Sequence, residues 1–250
     1  MTLSDTSTWL PLDGLAPGFD ANKAPTVDDL QGRSFVLLDD AGGPDRVTGS
    51  DIAAGETFLV DDDLYYVQRH PSPDAREAVS LFLDLRNGRA LVVTTTIGDH
   101  GTPRVTQEFR PATIGGYQVR GEPMAPSTAL IGRRVLWVYS REHAYEHVYL
   151  SPHWYTWQCL AGPERGLADT DENTVYRIRP GIHVFTWREK VIPCASVTVA
   201  DHRDARNLRS HGVLFGLDAT GERPTHFTFG AHGRLLSTTV HPGEFDPAAS

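Results

Sequence analysis

Apolar residues recur at every second position through short runs of the chain, and Gly, Pro, Asn or Asp bounds each run. That period sends alternate side chains to opposite faces, as in half-buried strands, and few windows sustain the 3.6-residue period of a helix. The pattern predicts strands over 34–38, 57–60, 64–68, 78–85, 89–97 and 104–109. In the second half it predicts them over 134–139, 145–150, 155–159, 174–178, 183–189, 195–200, 212–217, 225–229 and 234–237. Val79, Leu81, Leu83 and Leu85 share one face of the third run from the end of the first set, opposite Ser80, Phe82, Asp84 and Arg86. Asn87-Gly88 predicts a type I′ hairpin, whose two central residues need positive φ, and Asp218-Ala219-Thr220-Gly221 predicts a second turn.

Two prolines among small residues interrupt the alternation at 121–128, which predicts a linker and a division of the chain into 1–125 and 126–250. The halves echo each other. Gly32-Arg33 and Gly132-Arg133 each lead the first strand of a half, and Leu81-Phe82-Leu83-Asp84 before Gly88 echoes Leu214-Phe215-Gly216-Leu217-Asp218 before Gly221. Many antiparallel strands joined by short turns must hide their edges, and closure into an up-and-down barrel does so completely. The expected fold is therefore all-β, an antiparallel barrel architecture in two similar halves. A two-sheet sandwich is the alternative, and what lines the interior decides between them.

Composition narrows the partners. With 250 residues and 40% hydrophobic content the chain can bury a core without disulfides or metal as staples. Its 32 acidic against 23 basic residues, a net charge of −9, and the lack of a basic block argue against nucleic acid or an anionic membrane surface. No apolar run approaches a membrane span, and residues 1–25 do not read as a leader, so a cytoplasmic protein is expected. In that compartment Cys159 and Cys194 read as free thiols. No Gly-x-Ser-x-Gly elbow, phosphate loop or dinucleotide fingerprint occurs, and no cofactor is expected.

The candidate chemistry lies in the second half. Trp137, Trp154, Trp157 and Trp187 fall there with His143, His147, His153 and His183. Read as strands, Tyr145, His147 and Tyr149 share a face, as do His153, Tyr155, Trp157 and Cys159, and His183, Phe185, Trp187 and Glu189. Rings mixed with polar tips suit a ligand pocket, although packing against a partner or an ordinary core gives the same pattern. A carboxyl among rings has its ionised form disfavoured, which makes Glu189 an acid/base candidate, together with His147 and Tyr145. Tyr149, His153, Tyr155, Trp157, Tyr176, His183, Phe185 and Trp187 are the candidate ligand contacts. His143 and His147 are four apart, but the segment reads as a strand and not as a metal-binding helix. The polar stretches 161–173 and 201–210, with Arg165, Asp169, Asp171, His202, Arg203 and Arg206, are expected to form loops over a barrel mouth.

The stretches 139–147 (Tyr-Ser-Arg-Glu-His-Ala-Tyr-Glu-His), 153–166 and 187–194 (Trp-Arg-Glu-Lys-Val-Ile-Pro-Cys) resemble the MoaF family, labelled molybdenum cofactor biosynthesis protein F. The resemblance spans nearly the whole chain as an N-terminal and a C-terminal family domain. It implies a calycin fold, similar to the lipocalins, which hold small, largely apolar ligands. It brings no catalytic residues to carry over, and no anion-binding nest or basic pocket for a pterin or molybdate is evident. Two functions follow: a cofactor-independent lyase, hydratase or isomerase acting on a small aromatic or polyketide-like molecule, or a non-catalytic carrier of a hydrophobic one. A homo-oligomer is compatible with either.

Overall fold

The computed structural model describes residues 9–39 and 43–249. A one-turn helix α1 (Leu12–Leu15) is followed by β1 (Phe35–Leu38), β2 (Pro44–Val47), a short helix α2 (Gly49–Ala53), β3 (Glu56–Asp61), β4 (Leu64–Arg69), β5 (Glu77–Asp84), β6 (Arg89–Ile97), β7 (Val105–Ile114) and the two-residue β8 (Ala125–Pro126). Then come β9 (Arg133–Val138), β10 (Ala144–Tyr149), β11 (Trp154–Ala161), β12 (Ala168–Arg179), β13 (Ile182–Arg188), β14 (Cys194–Asp201), β15 (Leu208–Leu217) and β16 (Pro224–Thr238).

From β9 to β16 each strand pairs antiparallel with the next, and β16 returns to β9. The second half is thus a closed eight-stranded up-and-down barrel. The first half stays open. Its strands β3 to β7 form a meander, β1 pairs with β7 and β2 with β1, giving a seven-stranded sheet. By position β1 and β2 answer β9 and β10, while β3–β7 answer β12–β16. The strand that would answer β11 is missing, and α2 stands at that point of the chain. Closure on one side and an open trough on the other is the observed form of the two similar halves.

One sequence echo holds in detail. Gly32 and Gly132 precede β1 and β9 with φ of 73° and 82°, and the next residue closes the same turn in each half, Arg33 N–H to Leu30 O and Arg133 N–H to Leu130 O, both 3.0 Å. The other echo does not. The β5–β6 turn answers the β14–β15 connection, whereas Asp218–Gly221 joins β15 to β16. The Asn87-Gly88 turn also differs from expectation. Residues 85–88 form a four-residue connection in which only Gly88 has positive φ, 61°. Asp84 replaces the tight turn's geometry with side-chain bonds, accepting from Asn87 N–H (3.1 Å) and Asn87 Nδ2 (2.7 Å).

The halves are joined through a wall of apolar side chains. Phe58, Tyr66, Phe82, Leu91 and Val93 of the open sheet meet Ile178, Ile182, Val184, Val197, Val199 and Val213 from the outer face of the barrel. The other face of the sheet carries Leu37, Tyr65, Val67, Leu81, Leu83 and Val92 into its own core. This explains why Phe82 alternates with Leu81 and Leu83 yet all are buried. The predicted linker is in part a strand, since β8 adds to β12 and Met124 is buried in the wall.

Candidate active site inside the barrel

Alternation within the barrel strands selects what points inward. Along β11 Tyr155, Trp157 and Cys159 are buried while Trp154 and Gln158 are exposed. From β10 come Tyr145, His147 and Tyr149, from β13 His183, Phe185 and Trp187, from β9 Trp137, and from the residue after it Tyr139. His147 is the hub, with ring centroids 5.3 Å from Tyr155 and 5.8 Å from both Phe185 and Trp187. Its imidazole is buried and Nδ1 has no hydrogen-bond partner among the described residues. Burial pushes its pKa down to about 3, so the ring is neutral at any physiological pH.

Three carboxyl groups enter this aromatic interior, each held by a ring donor. Trp187 Nε1–H donates to Glu189 Oε1 at 3.1 Å, Trp157 Nε1–H to Asp171 Oδ2 at 2.9 Å, and the Tyr145 hydroxyl to Glu164 Oε2 at 3.1 Å. Burial, reinforced by the Asp171 charge, pushes Glu189 up to about 8; burial also pushes Asp171 up to about 6 and raises Glu164. Desolvation makes each negative charge expensive, and the neighbouring negative charges add to the cost for Glu189. At neutral pH Glu189 carries a proton and Asp171 is mostly ionised. Tyr145 is held firmly in its protonated form by burial and by Glu164.

The mouth is closed by the start of the chain. Trp9 packs edge-on against Trp157 at 5.4 Å, Leu10 N–H donates to Glu164 Oε1 at 3.2 Å, and Leu12, Leu15 and Phe19 are buried among the barrel rings. Phe19 lies 4.8 Å from Tyr139 and 4.9 Å from His143. The bend that seats it needs Gly18, where φ is 91° and a Cβ would sit 2.6 Å from the His143 ring. Between this plug and the strands remains a cavity of about 40 Å³, lined by Leu15, Phe19, Tyr145, His147, Tyr155, Trp157, Glu164, Trp187 and Glu189 among others. That is room for a few water-sized groups.

The structure brings together Tyr145, His147, Tyr155, Trp157, Trp187 and Glu189 around that cavity, with Tyr149 and Phe185 packed behind. His183 points into the opposite end of the barrel, 6.0 Å from His202. His153 is exposed on the turn before β11, and Tyr176 faces the open sheet, stacked on Phe109 at 4.9 Å. Neither joins the cluster. His143 is separate from His147, its Nδ1 within 2.9 Å of Ser140 Oγ, and no group of three or more metal-ligating side chains is placed to hold an ion among the described residues. Both cysteines are free and buried, and burial raises both thiols.

Glu164 is the residue sequence reading did not find, and Asp171, expected on a loop over the mouth, lies instead on the inward face of β12. The stretch expected to be a lid over 161–173 becomes strand from Ala168 onward, and its inward positions are Asp171, Asn173 and Val175. A period of two is present there, but polar residues occupy the inward face and conceal it. His202 likewise belongs to the interior, not to a loop over the mouth.

Models of known families match both parts of the chain. That of the MoaF C-terminal domain covers residues 124–239, and that of the MoaF N-terminal domain covers 7–52 and 45–99. The chain belongs to the MoaF family. The whole barrel and its three inward carboxyls lie within the MoaF C-terminal match, and the plugging segment lies within the MoaF N-terminal match. Protein MoaF of Klebsiella aerogenes is 37% identical over 114 residues, a stretch that spans 45% of this chain and 42% of that protein. A solved structure described as "putative beta-lactamase" from Burkholderia vietnamiensis aligns with a TM-score of 0.35 and 12% identity over 43% of this chain and 95% of its own, a likeness too slight to carry an argument. No helix among the described residues is long and apolar enough to cross a membrane.

Proposed function

We propose that this MoaF-family barrel binds a small aromatic or polyketide-like molecule and acts on it by proton transfer, as a cofactor-independent lyase, hydratase or isomerase. The observation that carries the reading is Glu189. It is a buried carboxyl on the wall of an aromatic cavity, protonated at neutral pH and within the influence of an ionised Asp171. Two acids whose environments set their proton affinities apart are what general acid/base chemistry requires. His147, neutral and with a free Nδ1, would orient the substrate, and Tyr145 would fix Glu164. Buried, unpaired thiols suit a reducing cytoplasm.

A carrier of lipocalin-like type is the second reading, and the sealed mouth favours it: the segment around Phe19 encloses whatever the barrel holds. Mass spectrometry of small molecules that co-purify with the chain supplies the compound for the test. Turnover of that compound is expected to fall by about a hundredfold in Glu189→Gln and by roughly tenfold in His147→Ala. Product formation unchanged in both variants removes these residues from any mechanism, and a compound recovered chemically intact supports the carrier.

A further inference from the structure

Three of the hydrogen-bond donors around the cavity are already spent. Trp157, Trp187 and Tyr145 each give their one N–H or O–H to a carboxyl group. Among the described residues the cavity wall contains no Lys or Arg. Lys190 comes within 4.0 Å of Asp171 Oδ1 but is held by Asp169 Oδ1 at 2.9 Å and by Thr170 O. Beside the Tyr139 and Tyr155 hydroxyls and the Glu189 proton, the interior holds unpaired buried polar atoms and no cation among the described residues. Asp171 Oδ1, on a residue 1% exposed, and His147 Nδ1, on one 5% exposed, have no hydrogen-bond partner among the described residues.

We propose that the molecule taken up by this cavity is an organic cation, a protonated amine carried on a small apolar body. The inference rests on the reading of the barrel as a small-molecule site and names the chemistry of what it takes. An anion would meet the carboxyl groups of Glu164 and Glu189 on the cavity wall and the charge of Asp171 behind Trp157, in a poorly hydrated interior. A neutral carbonyl could accept from the Tyr155 hydroxyl or from Glu189 but would leave Asp171 Oδ1 without a partner. An ammonium group brings three donors and the missing positive charge. The faces of Trp157, Trp187, Tyr145 and Tyr155 add a cation–π surface. The volume agrees: about 40 Å³ suits an ammonium head, and an apolar body would take the place that Leu15 and Phe19 now fill at the mouth.

The test is a tryptophan-fluorescence titration of the full chain at pH 7 with benzylamine, benzyl alcohol and benzoate, which share a ring and differ in charge. Benzylamine is expected to bind at least about tenfold more tightly than benzyl alcohol, with benzoate weakest. Asp171→Asn keeps an acceptor for Trp157 and removes the charge; it is expected to shrink the amine-to-alcohol ratio severalfold while the affinity for the alcohol holds. A wild-type ratio near one, or a preference for benzoate, overturns the cation and leaves the pocket standing. An unchanged ratio in a folded Asp171→Asn overturns Asp171 as the charge partner. Saturable binding of none of the three at millimolar concentration overturns the pocket and the cation together. Should Asp171→Asn lose its near-ultraviolet circular dichroism, the wild-type comparison decides alone.

Discussion

Glu189 stores a proton where water is scarce, and its neighbour Asp171 gives one up two pH units lower. If both take part in turnover, the rate rises with pH as Asp171 ionises near 6 and falls as Glu189 loses its proton near 8. A bell-shaped profile is expected, and Glu189→Gln should abolish its alkaline limb; steady-state rates from pH 5 to 9 check this. A wild-type rate that climbs steadily past pH 8 would remove Glu189 as the donor. Glu189 was legible in the sequence because it follows Trp187 and Phe185 at a period of two. Asp171 was legible only as a loop residue, since a carboxylate on a strand normally marks the solvent side, and Glu164, in the turn between β11 and β12, carried no period at all. Here two ring donors hold them inside, Trp157 for Asp171 and Tyr145 for Glu164, 14 and 19 residues away along the chain.

The segment that carries α1 behaves as a stopper whose hold depends on a few contacts. Phe19→Ala removes a ring packed on Tyr139, His143, Tyr145 and Phe227. It should cost about 3 kcal/mol in urea unfolding and speed the entry of any ligand seen by stopped-flow fluorescence. Gly18→Ala, strained by its φ and by the His143 ring, should cost about 1–3 kcal/mol without leaving a cavity. Equal entry rates in wild type and Phe19→Ala would show that ligands pass elsewhere. The barrel strands could be read from alternation, but this stopper could not, because residues 9–22 show no period and take their shape from a surface made by distant strands. The long β16 was divided in prediction for the opposite reason. Glycines 230 and 233 fall in the gap between the two predicted runs, and β16 passes through both, with Gly233 placed where a Cβ would come 2.5 Å from the Trp137 ring.

The two halves share more than an apolar wall. Arg179, buried at the seam, donates to both Asp84 oxygens at 2.6 and 3.1 Å and to Asp61 at 2.7 Å. Arg179→Met would strand a buried Asp84 and is expected to cost about 3–5 kcal/mol in urea unfolding, with partial recovery in the Arg179→Met/Asp84→Asn pair. A loss below 1 kcal/mol would mean that the seam relaxes around the missing cation. Acidification should weaken the fold through its histidines. Burial depresses His147 and His202 to about 3 and His183 and His211 to about 4. Their contribution is whole above the unfolded value of about 6.5 and is lost as pH falls toward the folded values. Glu189 and Asp171, raised in the folded state, act in the opposite sense, contributing most at low pH and losing that contribution as pH rises toward 8 and 6. Near pH 5.5 the histidines outweigh them, so unfolding free energy should drop by roughly 1–3 kcal/mol per unit on acidification. A flat profile between pH 7 and 5 would show that these imidazoles titrate normally.

Because Trp9 to Phe19 rest inside a ring that only β16 completes, synthesis and folding run in opposite orders for this stretch. Once made, it has no seat until the more than two hundred residues that separate it from β16 have emerged. A nascent chain halted before residue 224 would hold that apolar stretch in water, an invitation to chaperones that the finished molecule no longer extends.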